Sequence, residues 1–285
     1  MEAGLDRVVS NATQPALRGD YSVAGSDYVV DQRWDAYTAE EHALWRRLYA
    51  RQMRLLPGYA CDEFLAGLAR LDAGEAIPRL EVASEKLRRA TGWTLVGVPG
   101  LIPDLVFFEH LAHRRFPVTT WLRTPAEFDY IVEPDVFHDF FGHVPLLLDP
   151  VYADYMAAYG QGGLKAARLD SLEFLARLYW YTVEFGLVAT PAGLRIYGAG
   201  ILSSGGEVVH SLDSPRPRRV KFALERLLRT EYHIDRYQDT YFVIDSFAQL
   251  IADTAPDFTP IYERIRGLPA HAADARLPED VEVAR

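Results

Sequence analysis

From Leu169 to Leu187 apolar residues recur at helical spacing, with Leu172, Leu175, Ala176, Tyr179, Trp180 and Val183 in register. Into this stripe the sequence sets a carboxylate, Glu184, between Val183 and Phe185. A carboxylate on a mostly apolar helix is costly to bury unless it is paired or metal-bound. A chain that folds this helix into its core must therefore bring a partner to Glu184. That demand limits the fold more than any single element does.

Candidate partners lie upstream, in the run Glu133-Pro134-Asp135-Val136-Phe137-His138-Asp139-Phe140-Phe141-Gly142-His143-Val144-Pro145. Pro134 suits a first helical turn, and Pro145 lies beyond a helix end at Gly142-His143. On an ideal helix, residues five apart sit about 140° apart around the axis. His138 and His143 can reach one ion only if the helix ends or distorts near Gly142. Two imidazoles and one carboxylate can then occupy one face of a metal and leave the other positions open. That is the arrangement of a non-haem Fe(II) oxygenase. Spacing alone does not separate iron from zinc in a hydrolase, or either from a helical binding module with structural histidines. His110 and His113 lack the zincin order and read as surface or packing residues. The glycines at 198, 200, 205 and 206 do not follow a strand-to-helix nucleotide pattern.

The rest of the chain reads as one mainly α domain with a small β portion. Thr38-Ala39-Glu40-Glu41 is a capping box, and Pro57-Gly58 stops the helix it opens. Further helices are expected over Cys61–Asp72, Pro78–Gly92, Asp104–Arg115, Val220–Arg229, Val243–Thr254 and Thr259–Arg266. Short strands are expected at Val118–Trp121, Arg195–Tyr197 and Glu207–Val209. Residues 1–26 and 271–285 are polar with little periodicity and read as a loosely ordered start and a flexible tail. The catalytic unit is then 27–270. A net charge of −10 argues against nucleic acid. No run of about 18 apolar residues exists to span a membrane. One cysteine, Cys61, permits no intramolecular disulfide, so a reducing, cytoplasmic setting is expected.

The run from Pro134 to Pro145 closely resembles the signature of the pterin-dependent aromatic amino acid hydroxylases. Thr182-Val183-Glu184-Phe185-Gly186-Leu187 and Tyr197-Gly198-Ala199-Gly200-Ile201-Leu202-Ser203-Ser204 resemble two further blocks of that family, in the same order. The similarity extends over about Leu95 to Phe247. It implies a single catalytic domain in which His138, His143 and Glu184 bind Fe(II), with Tyr179 close to the metal. It also implies a tetrahydropterin that supplies two electrons. One oxygen atom of O2 would go to the pterin and one to the aromatic ring of an amino acid.

The same resemblance assigns the remaining site. Phe107 falls where a ring stacks on the pterin, and Gly100, Leu101 and Ile102 fall on the segment whose backbone contacts it. Arg123 matches the holder of the substrate carboxylate, Asp135 the acid that orients it, and Ser203 a hydroxyl of the same subsite. Pro134, Trp180 and Phe185 would wall the ring pocket. Ile234 falls where tyrosine hydroxylases carry an acid, so an apolar residue there favours L-phenylalanine over tyrosine or tryptophan. Ile131 departs from the threonine usual in animal members, which removes or replaces one polar contact near the substrate. The flanks lack the regulatory domain and the heptad helix of those members, so a short, bacterial-type monomer is expected.

Overall fold

The computed structural model describes residues 17–129 and 131–284. Most of the segment read as a loosely ordered start, residues 1–16, lies outside them.

Helix α1 (Ala39–Leu55) begins as its sequence dictates. The Thr38 hydroxyl accepts from the Glu41 amide, and the Glu41 carboxylate accepts from the Thr38 amide. Its apolar face, Leu44, Trp45 and Leu48, is buried. Helices α2 (Asp62–Leu71) and α3 (Leu80–Thr91) follow, the latter stopped by Gly92 at φ 79°. Strand β1 (Thr94–Val98), helix α4 (Asp104–Ala112) and strand β2 (Arg115–Thr119) form a parallel βαβ unit. The expected helix to Arg115 stops three residues early, because Arg114 turns left-handed at φ 54°. The chain is thereby released into β2 earlier than the expected start at Val118.

Helix α5 (Pro150–Arg168) was not expected, although Asp149 caps it and Pro150 opens it. Its interior glycines weaken the helical signal. Gly160 and Gly163 are there because α4 packs directly on α5: a Cβ on Gly160 would lie 2.3 Å from Ala112 N, and one on Gly163 2.0 Å from the Phe108 ring. Helix α6 (Leu172–Tyr179) continues as a wider coil over Trp180–Glu184, then passes into β3 (Leu187–Thr190) and β4 (Gly193–Ile196).

The remaining elements are the helices α7 (Ala199–Leu202), α8 (Gly205–Asp213), α9 (Leu224–Leu228), α10 (Phe247–Thr254) and α11 (Thr259–Ile265), with strands β5 (Arg218–Lys221) and β6 (Thr240–Ile244). A four-stranded sheet has the order β4-β3-β6-β5, with β3–β4 antiparallel and the other pairs parallel. Three elements differ from expectation. Glu207–Val209 is helix within α8, because Ser204 caps that turn by accepting from the Glu207 amide. Val220 lies in β5 and Val243 in β6, and the helices start only at Leu224 and Phe247. β-branched runs favour strands, and they were absorbed into the helices that follow them.

The segment beyond residue 270, expected as a loose tail, is bonded along much of its length. The His271 amide donates to Arg229 O at 2.6 Å and the Val283 amide to Arg219 O at 2.8 Å. Asp280 sits between the guanidinium groups of Arg218 and Arg226, at 2.7 and 3.0 Å. Among the described residues no helix is long and apolar enough to cross a membrane.

Candidate metal centre

The two stretches that carry the histidines and the glutamate are both π-type helix, Phe137–His143 and Trp180–Glu184. In a π-helix the amide of residue i+5 bonds the carbonyl of residue i, so the turn is wider and residues five apart come nearer to one face. The separation of about 140° between His138 and His143 on an ideal α-helix is narrowed in this way. In the second stretch the Phe185 amide donates to Trp180 O at 2.9 Å, five residues back. A third segment locks the two together. A Cβ on Gly142 would sit 2.9 Å from Ala199 O, and one on Gly200 would sit 3.2 Å from Glu184 Oε2. Of the glycines that fit no nucleotide pattern, Gly198 and Gly200 lie against the Glu184 segment, whereas Gly205 and Gly206 make room for Arg51 and Tyr237.

His138 Nε2 lies 3.3 Å from His143 Nε2 and 3.6 Å from Glu184 Oε2, and His143 Nε2 lies 3.2 Å from Glu184 Oε1. No other His, Cys, Asp or Glu group among the described residues clusters like this. His110 and His113 have ordinary partners, the carbonyls of Asp27 and Glu109. Ser203, read from the sequence as part of the carboxylate subsite, is bonded to His138. Its hydroxyl donates to Ala199 O at 2.9 Å, so toward His138 Nδ1, also at 2.9 Å, it can only accept. Nδ1 therefore carries the proton, and Nε2 turns a lone pair into the cluster. Burial alone would raise the Glu184 carboxyl, but the imidazoles of His143 and His138 hold it well below the ordinary range.

Arg123 and Asp135 form a buried pair, 4% and 0% exposed. Arg123 Nε donates to Asp135 Oδ2 at 2.9 Å and Nη2 to Oδ1 at 2.8 Å. Oδ1 also accepts from the His138 amide at 3.0 Å. One carboxylate thus ties the guanidinium to the first turn of the histidine helix. Burial opposes its charge, but Arg123 keeps its pKa below the ordinary value.

On the other side, Tyr179 stacks on His143 (6.3 Å, 29°), and Phe107 meets Tyr179 edge-on at 5.6 Å. Phe107 is thus one ring removed from the cluster. Gly100 has φ 150°, and a Cβ there would lie 2.8 Å from both Glu133 Oε1 and the Tyr21 hydroxyl. Leu101 is exposed and its carbonyl accepts from Tyr21 at 2.9 Å; Ile102 is half-buried. Trp180 packs on Phe185 at 4.7 Å and stacks on Tyr232 at 4.4 Å. Ile234 is two residues beyond Tyr232, and both it and Pro134 are half-buried.

The model of the family described as biopterin-dependent aromatic amino acid hydroxylase matches residues 30–262. The chain belongs to that family. It is 62% identical over 248 residues to a phenylalanine-4-hydroxylase of Ralstonia nicotianae, covering 87% of this chain and 79% of the relative. It is 58% identical to one of Chromobacterium violaceum, covering 90% and 86%. A solved iron- and phenylalanine-bound structure of the Chromobacterium violaceum enzyme superposes with a TM-score of 0.87 at 58% identity, covering 90% of this chain and 94% of that one.

Three residues of this family member went unread in the sequence. Asp139 follows His138 directly, accepts from the Thr119 amide at 2.7 Å, and has both imidazoles in its field. Burial nevertheless pushes its pKa up. Tyr232 and Gln238 sit on the loop that carries Ile234 and contact Trp180. Asp139 had a signal, its place inside the signature. The loop residues had none.

Proposed function

We propose that this chain is a phenylalanine 4-monooxygenase. It converts L-phenylalanine to L-tyrosine with O2 and a tetrahydropterin, at a non-haem Fe(II) held by His138, His143 and Glu184. The observation that carries this reading is the convergence of two imidazole nitrogens and one carboxylate in a member of a biopterin-dependent family. The donors fit a metal. Ser203 turns a His138 lone pair inward, Glu184 is held ionised, and a facial two-histidine, one-carboxylate set suits Fe(II). Bound there, iron and pterin supply O2 activation and two electrons.

The chain's own residues position the reactants. Asp135 holds the Arg123 fork ready for the amino acid carboxylate. Trp180, Phe185 and Pro134 flank the ring, and apolar Ile234 leaves no acid for a phenolic hydroxyl. Phe107 and the Gly100–Ile102 backbone receive the pterin, with Tyr179 between Phe107 and His143. We assign the catalytic unit to residues 27–270 and the enzyme to the cytoplasm, where a buried free Cys61 stays reduced.

Enzyme loaded anaerobically with Fe(II) is given tetrahydropterin, O2 and each aromatic amino acid. Tyrosine formed from phenylalanine, faster than any product from tyrosine or tryptophan, is expected. His138→Ala, His143→Ala and Glu184→Ala should each abolish it. Faster turnover of tyrosine or tryptophan overturns the substrate assignment. Hydrolytic activity with zinc and no pterin requirement overturns the class.

A further inference from the structure

Gln238 is 2% exposed, on the loop between α9 and β6, and its whole amide is engaged. Oε1 accepts from the Trp180 indole N–H at 2.9 Å. Nε2 donates to His233 O at 2.8 Å and to Arg236 O at 3.3 Å. An indole N–H only donates and a carbonyl only accepts, so the amide fits one way round. Gln238 is itself gripped from behind. Its backbone N–H donates to Glu207 Oε1 at 3.1 Å, and that oxygen also takes the Tyr241 hydroxyl at 2.6 Å. Helix α8 and strand β6 therefore fix the amide, and the amide fixes two things at once. One is the indole, which lies on Tyr232 at 4.4 Å and 17°. The other is the 233–236 turn, which includes Ile234.

Resting on the reading of Trp180 and Ile234 as ring-pocket residues, we propose that Gln238 is a positioning residue that sets the width of that pocket. One planar amide spans the gap between the indole and the turn, so the two walls cannot separate without breaking its bonds. The residue touches neither the metal cluster nor the pterin segment. Its removal should therefore affect amino acid binding and ring-size selection, and spare the pterin.

Phenylalanine affinity of the Fe(II)-loaded enzyme is measured by calorimetry for wild type, Gln238→Met, Trp180→Phe and the double variant. Pterin KM and the phenylalanine-to-tryptophan ratio of kcat/KM are measured on the same samples. Methionine keeps the length and loses every side-chain polar contact, while the backbone bond to Glu207 remains. Phenylalanine Kd should rise about tenfold, the effect of one well-placed hydrogen bond. Pterin KM should stay within twofold, and the selectivity ratio should fall. On the Trp180→Phe background, which has no indole N–H, Gln238→Met should add little further loss of affinity.

Additive losses, an unchanged Kd with only a lower Tm, or equal rises for both ligands would overturn the proposal. Should Gln238→Met fail to fold, Gln238→Asn enters the same cycle, since it keeps the amide and shortens its reach. Wild type that binds phenylalanine but forms no tyrosine refutes the functional reading, and the affinity cycle still decides the role of Gln238. Wild type that binds no phenylalanine overturns both.

Discussion

The His138 imidazole and the Ser203 hydroxyl lie 2.9 Å apart, and with the Ser203 hydrogen turned to Ala199 O the proton between them belongs to His138. Ser203 gives its hydrogen to Ala199 O, so His138 Nδ1 must donate. The Ala199 carbonyl thereby decides which nitrogen of a histidine 61 residues upstream is free to bind a metal. The same helix α7 brings Gly200 against Glu184, so one short element orients two of the three ligands.

Ser203→Ala removes that orientation without touching a ligand. Outer-shell partners of metal-bound histidines are worth roughly 10–100-fold in metal affinity or activity. Anaerobic Fe(II) titration should show a loss of that size, with folding retained. Unchanged affinity would mean the ring is held by packing alone.

Arg123→Lys keeps the charge beside Asp135 and loses the fork. Two parallel bonds become at most one, and the head no longer meets a carboxylate on both sides. The apparent KM for phenylalanine should rise by roughly 10–100-fold, the worth of one charge-assisted hydrogen bond, and far more than that for pterin. An equal rise for both would make the Arg123–Asp135 pair a scaffold for the whole cleft.

The capping box at Thr38 and the convergence on Glu184 were legible in the sequence because each is a local signal with a physical demand behind it. The π-distortion was half legible. Spacing showed that an ideal helix could not present both histidines, but not which coil would. Helix α5 was hidden by glycines that serve its contact with α4. The boundaries at Val220 and Val243 failed because strand and helix abut with only a short link. Ser203 was placed at the cleft, but its contact depends on a carbonyl that no side-chain pattern reveals.

Phe107→Ala should weaken pterin binding by roughly 1–3 kcal/mol through lost area and stacking, while leaving Fe(II) content intact. Phe107 also packs on Phe108 and Tyr179, so Tm will fall. The deciding measurement is pterin Kd at a temperature well below that Tm. No change there would leave Phe107 a packing residue only.

Glu207 gives a pH prediction. Burial pushes its carboxyl up to about 7, against the bonds from Tyr241 and Gln238. Between the ordinary value of 4.5 and about 7 the folded protein holds a proton that the unfolded chain has released. This group's contribution therefore lowers stability as pH rises through that window, by roughly 3 kcal/mol at most. Glu207→Gln keeps a carbonyl for both donors and cannot ionise. Its denaturation midpoint at pH 8 should exceed that of wild type, and the two should approach each other near pH 5. Parallel pH profiles would remove Glu207 as the source.

Ile234→Asp tests the substrate reading most directly. Ile234 is half-buried on the turn that Gln238 ties to the Trp180 indole. A carboxylate placed there must give up water to sit near an apolar ring, which disfavours phenylalanine. Tyrosine can offset that cost, because its hydroxyl donates to the new acid. Phenylalanine kcat/KM should fall, and the tyrosine-to-phenylalanine ratio should rise by about tenfold, one hydrogen bond to a charged acceptor. The measurement is that ratio in variant and wild type, with pterin KM as the control. An unchanged ratio would move Ile234 out of the pocket and leave ring selection to Trp180 and Phe185.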